Sequence, residues 1–195
     1  WERVLAIEPQ HVAAAVALAP IYEQQEKWTR LLAVREIELA AAADVPARLA
    51  KIAQIRELCE HRLASKKLAF QWTVRAFDLD QASTALYADL LRLASEPDQW
   101  RELAACFERA LATGSPPPAR RLGLLRELAK IASKRLADPE KARAYHRLVL
   151  ELQLDDRDAE AQLEELAAQV ADWPAVLASY RRRAAREKEA KAGAG

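Results

Sequence analysis

No asparagine and no methionine occur in this chain, cysteine is limited to two residues, and of the four glycines among 195 residues two fall in the last three positions. So little glycine leaves few turn formers for sheet hairpins. No segment alternates apolar and polar residues with a β-branched bias either, which argues against a sheet. Cys59 and Cys106 stand far apart in separate helical stretches, a count and spacing that give no disulfide framework, so both are expected as buried thiols. An excess of one charge is also missing: 30 Lys and Arg face 29 Asp and Glu, a net charge of +1. No global field therefore recruits nucleic acid or an anionic membrane, and neither is expected as a partner. Long apolar runs are absent, since stretches such as HVAAAVALAPIY fall well short of the roughly 20 residues that cross a bilayer. The chain opens at WERVLAIEPQ without a starting Met, a basic leader or an apolar segment. It is expected to be a piece of a longer protein, with the cytoplasm as its compartment.

What the sequence does contain is a helical pattern punctuated by proline. Breaks fall at 8–10, 43–47, 95–98, 113–119, 137–140 and 154–158. Pro46, Pro118, Pro139 and Pro174 read as helix starts, because a first-turn residue has no intrahelical acceptor for the N–H that proline lacks. Between breaks the apolar residues recur at three and four. Ile52, Ile55 and Cys59 make one stripe; Leu125, Leu128, Ala132 and Leu136 make its counterpart. Sliding the chain on itself until Trp28 falls on Trp100 brings Trp100 to within one position of Trp173. The same long shift, give or take one position, superposes Pro46 on Pro118, Arg48 on Arg120, RLAS at 62–65 on RLAD at 135–138, and Trp72 on Tyr145. These coincidences predict an internal repeat. Half of that period is about 36 residues, room for one helix-turn-helix hairpin. The expected fold is all-α: a right-handed solenoid of about ten or eleven helices, with a partial repeat at 1–9 and hairpins near 10–44, 45–80, 81–114, 115–154 and 155–190 in one domain over 1–195.

Within these hairpins LAPIYEQQEKW supplies Leu18, Ala19, Tyr22 and Trp28 in an order and spacing that resembles the tetratricopeptide repeat. The third hairpin follows with Leu90, Ala94, Trp100, Phe107 and Ala110, and the fifth with Leu163, Ala167, Trp173 and Tyr180; WERVLAIEP is similar to the tail of a second helix. The second and fourth hairpins lack the tryptophan at their turn, and this alternation doubles the period. The wealth of Ala, Leu, Arg and Glu is similar to what GC-rich bacterial genomes encode. The resemblance implies stacked hairpins whose first helices line a concave groove for a protein or peptide segment. It also implies that Trp28, Trp100 and Trp173 fill equivalent crevices between paired helices. The family's clamp for a C-terminal carboxylate uses Asn in the groove, and this chain has none.

Chemistry is sparse. His11, His61 and His146 are scattered over different hairpins, and Cys59 and His61, two apart, point to different faces of a helix. No zinc set, phosphate loop or nucleophile elbow occurs, so no cofactor and no catalysis are expected. Acidic groove candidates are Glu23, Glu57, Glu60, Asp89 and Glu165, with Arg92 beside Asp89. LDDRD at 154–158 reads as a loop that caps the next helix. Arg126, Lys130 and Lys134 recur every four residues, one cationic face away from the Leu125 stripe. Either acids of flanking hairpins (Asp89, Glu96, Asp158 and Glu165 are the candidates) neutralise that face, or it awaits an acidic or C-terminal segment of a partner; the second is the expectation. The alternative function is a spacer in a longer array with no ligand of its own. The basic C-terminal run is expected to end as a helix that frays after about Glu189.

Overall fold

A computed structural model describes residues 1–113, 116–169 and 171–192. Among these the chain is helical throughout, with no strand: α1 (Glu2–Ile7), α2 (Val12–Gln24), α3 (Trp28–Ala40), α4 (Val45–Glu57), α5 (Lys66–Leu79), α6 (Thr84–Leu93), α7 (Pro97–Thr113), α8 (Pro118–Lys134), α9 (Pro139–Leu152), α10 (Arg157–Gln169) and α11 (Trp173–Ala192). A π-helical turn, Leu58–Arg62, extends α4. α11 continues past Glu189 to Ala192, and the end of the expected frayed tail, 193–195, lies outside the described residues.

Local chemistry accounts for the starts. Side chains of His11, Asp44, Ser65, Ser83, Asp138 and Asp156 each accept the N–H three residues on, at Ala14, Ala47, Leu68, Leu86, Lys141 and Ala159. Such a cap contributes about 1 kcal/mol by satisfying a donor that the helix leaves orphaned. Pro118 and Pro139 open α8 and α9, and Pro46 and Pro174 stand second in α4 and α11.

The stops are more informative. Among the described residues four non-glycines adopt left-handed backbone, Glu26, Ala64, Ala137 and Ala171, with φ between 49° and 56°. Each stands in the turn joining two neighbouring helices, where a residue of opposite hand closes a helix end. After α2 and α10 the closing bonds run five residues back, from Lys27 N–H to the Tyr22 carbonyl and from Asp172 N–H to Ala167. After α4 and α8 the closure is wider. Leu63 N–H bonds Leu58 and Ser65 N–H bonds Cys59, while Leu136 N–H bonds Ile131 and Asp138 N–H bonds Ala132. The two wide closures correspond bond for bond at the long period of the sequence, and they belong to the two hairpins that lack the turn tryptophan.

The chain packs as two compact units, Trp1–Cys106 and Phe107–Gly195. In the first, successive helices from α1 to α6 pack on one another. Ala15, Leu18, Ala19, Tyr22, Leu31, Val34 and Leu58 form a cluster, with Leu5, Trp28, Leu32, Ile37 and Leu63 against it. Ile52, Ile55 and Cys59 are buried as their stripe requires, as are Phe70, Trp72 and Phe77 on α5. In the second unit α8 packs on α9, α9 on α10, and α10 on α11. Leu125, Val149 and Ala159 form one cluster and Ala132, Ala142 and Leu166 another, with Tyr145 packed against both.

The tryptophans depart from expectation. Trp28 and Trp100 are only half-buried, Trp173 is 60% exposed, and the one enclosed indole among the described residues is Trp72, outside the turn pattern. At Trp28 the reason is visible: the Arg62 guanidinium lies 5.1 Å from the ring centroid, so a charged side chain covers the face expected to be sealed by aliphatic packing.

Candidate functional site

The cationic face of α8 is not a stack of uncommitted charges. Arg126 donates from Nε to Asp156 Oδ2 at 3.0 Å and from a terminal nitrogen to the same oxygen, and it also reaches Gln153 at 3.2 Å. The Asp156 side chain is 4% exposed. Burial alone would raise its pKa, but the Ala159 N–H and the Arg126 guanidinium outweigh that and hold it below the usual carboxylate range. Lys130 pairs with Glu127 at 3.5 Å on its own helix. Lys134 lies apart in an open cleft of about 530 Å³ with Ser133, Gln162 and Glu165. Asp156, the cap of α10, thus neutralises Arg126 and Glu127 faces Lys130, while of the four acids named as candidates for this role Glu165 alone shares a cleft with this face, at Lys134.

Arg92 and Asp89 do come together, with each other and with two more charges. Arg92 donates to Glu60 Oε2 at 2.9 Å and to Asp89 Oδ1 at 3.1 Å, and Arg56 reaches the other Asp89 oxygen. The bond from Arg92 is the main reason that the Glu60 pKa is lowered, and the same bond raises that of Arg92. The four charges cancel across α4, its π-turn and α6. Widening at Leu58–Arg62 turns Glu60 toward α6 and leaves Glu57 outside the network.

Glu57 instead lines a cleft of about 410 Å³ bounded by α2, α3, α4 and the π-turn. Leu31 and Leu58 supply buried apolar wall, Trp28 a half-exposed indole, and Glu23 faces the same space. Two cations border it, and both are engaged. Arg35 bonds Glu38 at 3.0 Å, a carboxylate that Lys51 also holds, and Arg62 covers Trp28. Glu23 and Glu57 have neither ion-pair nor side-chain hydrogen-bond partner among the described residues. Sequence reasoning named both acids as groove candidates and Trp28 as a crevice filler, but not Arg62 beside them, whose register the π-turn sets.

Elsewhere reactivity is muted. Cys59 is buried, and burial, reinforced by Glu36, pushes its thiol up to about 11, away from thiolate chemistry. Tyr145 is likewise raised, first by burial and then by donating to Glu108. No group of three or more His, Cys, Asp or Glu among the described residues is arranged to hold a metal ion, and no described helix is long and apolar enough to cross a membrane. No protein-family model matches the chain, and no curated protein matches it.

Proposed function

We propose that this chain is a non-catalytic protein-interaction module built of tetratricopeptide-like hairpins, and that the cleft over α2 to α4 takes a basic segment of a partner protein. The observation that carries this reading is the pair of carboxylates, Glu23 and Glu57, which have no ion-pair partner among the described residues and lie beside an indole and two leucines. A lysine or arginine suits such a slot: its stem lies on Trp28, Leu31 and Leu58 while its charged head reaches the acids. The repeat is supported by the matched helix closures at Leu58–Ser65 and Ile131–Asp138. An acidic partner at α8, the expectation from spacing alone, loses support because Arg126 already serves Asp156. Nucleic acid is disfavoured at this cleft because phosphates would meet Glu23 and Glu57, which have no ion-pair partner among the described residues.

The runner-up reading is a spacer with no ligand, and the self-cancelling Arg56, Asp89, Arg92 and Glu60 set favours it on the α6 side. Fluorescence anisotropy with arrays of basic and acidic peptides separates the two. Basic peptides should bind, more weakly as salt rises, because exposed charges are screened over about 8 Å at physiological ionic strength. A Glu23→Lys, Glu57→Lys variant should lose about tenfold or more in affinity. Equal binding by that variant, or preference for acidic peptides, overturns the proposal.

A further inference from the structure

Trp28 has two kinds of neighbour. Part of the indole packs against the cluster of Tyr22, Leu31 and Leu58, and the part left open borders the cleft over α2 to α4. Over this ring lies the Arg62 guanidinium, 5.1 Å from its centroid. Two other guanidiniums lie over rings, and neither is placed in the same way. Arg30, over Tyr22, also bonds Glu2 at 2.9 Å, and Arg75 closes over Trp72, an indole already buried. Arg62 is exposed, has no ion-pair partner among the described residues, and covers an indole that stays half-buried at the wall of a cleft.

Glu23 and Glu57 line the same cleft as Arg62, yet Arg62 pairs with neither. It is the last residue of the π-turn, which closes on the bonds from Leu63 N–H to the Leu58 carbonyl and from Ser65 N–H to Cys59. Those bonds fix where the side chain leaves the backbone and leave only the ring to hold its far end. A cation on an exposed aromatic face is favoured by a factor of only about two to five. The stem and head of a partner's lysine need that same face on their way to the acids, and two cations on one ring repel each other. Binding is therefore an exchange of cations at Trp28.

We propose, resting on the basic-segment reading of this cleft, that Arg62 is an internal placeholder for the partner's cation. In the free chain its guanidinium occupies the indole; it swings out when a basic residue of the partner takes the ring and reaches Glu23 and Glu57. The contact is autoinhibitory, and it lowers affinity by as much as the ring holds Arg62.

Arg62→Gln keeps much of the length of the side chain and removes its charge, and at an exposed position it should leave the thermal melt unchanged. In fluorescence anisotropy with a lysine-rich peptide, this variant should bind about two- to fivefold more tightly than the wild type. Loss of a nearby positive charge alone would also favour a cation, so a double-mutant cycle separates the two causes. In a Trp28→Leu background most of the gain should disappear, because no ring is left to vacate; a gain of the same size there overturns the placeholder. Nuclear magnetic resonance supplies a readout that does not depend on how well Trp28→Leu folds. The δ-methylene protons of Arg62 should be shifted upfield by the indole in the free chain and return to the ordinary arginine position as the peptide saturates. An upfield signal that persists at saturation overturns the proposal. If the wild type binds the peptide through Glu23 and Glu57 but Arg62→Gln binds no tighter, the placeholder falls and the reading of the cleft stands; if neither chain binds, both fall.

Discussion

Replacing Arg126 with alanine separates a structural cation from a ligand-binding one. Asp156 loses the donors at 3.0 Å and at the terminal nitrogen but keeps its cap bond from the Ala159 N–H at 2.9 Å. Breaking a buried ion pair by deleting one member costs about 3–5 kcal/mol when the other is sealed from water. Here Arg126 is about half exposed, so water reaches the carboxylate once the guanidinium is gone, and the retained cap bond satisfies part of it. The expected loss is therefore about 2 kcal/mol, in the range of hydrogen bonds to charged groups. Urea unfolding followed by circular dichroism reads it as a lower midpoint at unchanged slope. The pH dependence carries the sign. Asp156 has a depressed pKa in the fold, so its contribution is complete above the ordinary carboxylate value near 3.9 and disappears as pH falls through the folded value. The penalty of Arg126→Ala should shrink in the same window. A variant as stable as the wild type at pH 7 refutes the reasoning and returns Arg126 to the pool of residues available to a partner.

Three further outcomes follow from the same geometry. Trp72→Ala should cost about 3–5 kcal/mol through lost burial and a cavity, whereas Trp173→Ala should change stability by less than about 0.5 kcal/mol; equal losses in urea melts would contradict the burial assigned to each. Ala137→Gly should stabilise by roughly 0.5–1 kcal/mol, opposite to alanine-to-glycine changes inside helices, because φ of 51° strains any residue with a β-carbon; a lower melting temperature would count against that backbone. Burial lowers the pKa of His146, with Asp156 pulling weakly the other way. The unfolded chain therefore takes up a proton that the fold resists. Stability should be full above about 6.5 and fall as pH drops below it, and His146→Phe should flatten this part of the melting profile; identical profiles would exclude His146 as the cause.

Much of the fold was legible because helix punctuation is local chemistry. Pro118 and Pro139 open helices for want of an N–H, Asp156 caps α10 as LDDRD suggested, and the stripes at Ile52 and Leu125 are buried as their spacing requires except at Leu136, which is half-buried. The charges were less legible. Arg126 and Asp156 are 30 residues apart, and Arg92 and Glu60 are 32, so nothing in the local pattern reveals which cations have internal partners. The tryptophans misled for a related reason: regular spacing along the chain does not say what covers each indole, and Trp28, Trp100 and Trp173 differ in exposure. The π-turn at Leu58–Arg62, which parts Glu57 from Glu60, left no recognisable trace in LCEHR.

The most direct test of the basic-segment reading is a nuclear magnetic resonance titration of the ¹⁵N-labelled chain with a lysine-rich peptide. The account predicts that the Trp28 indole N–H and the amides of Glu23 and Glu57–Arg62 shift together and saturate, while those around Arg126 and Lys130 stay in place. Shifts confined to α8, or scattered evenly over the surface, would contradict it.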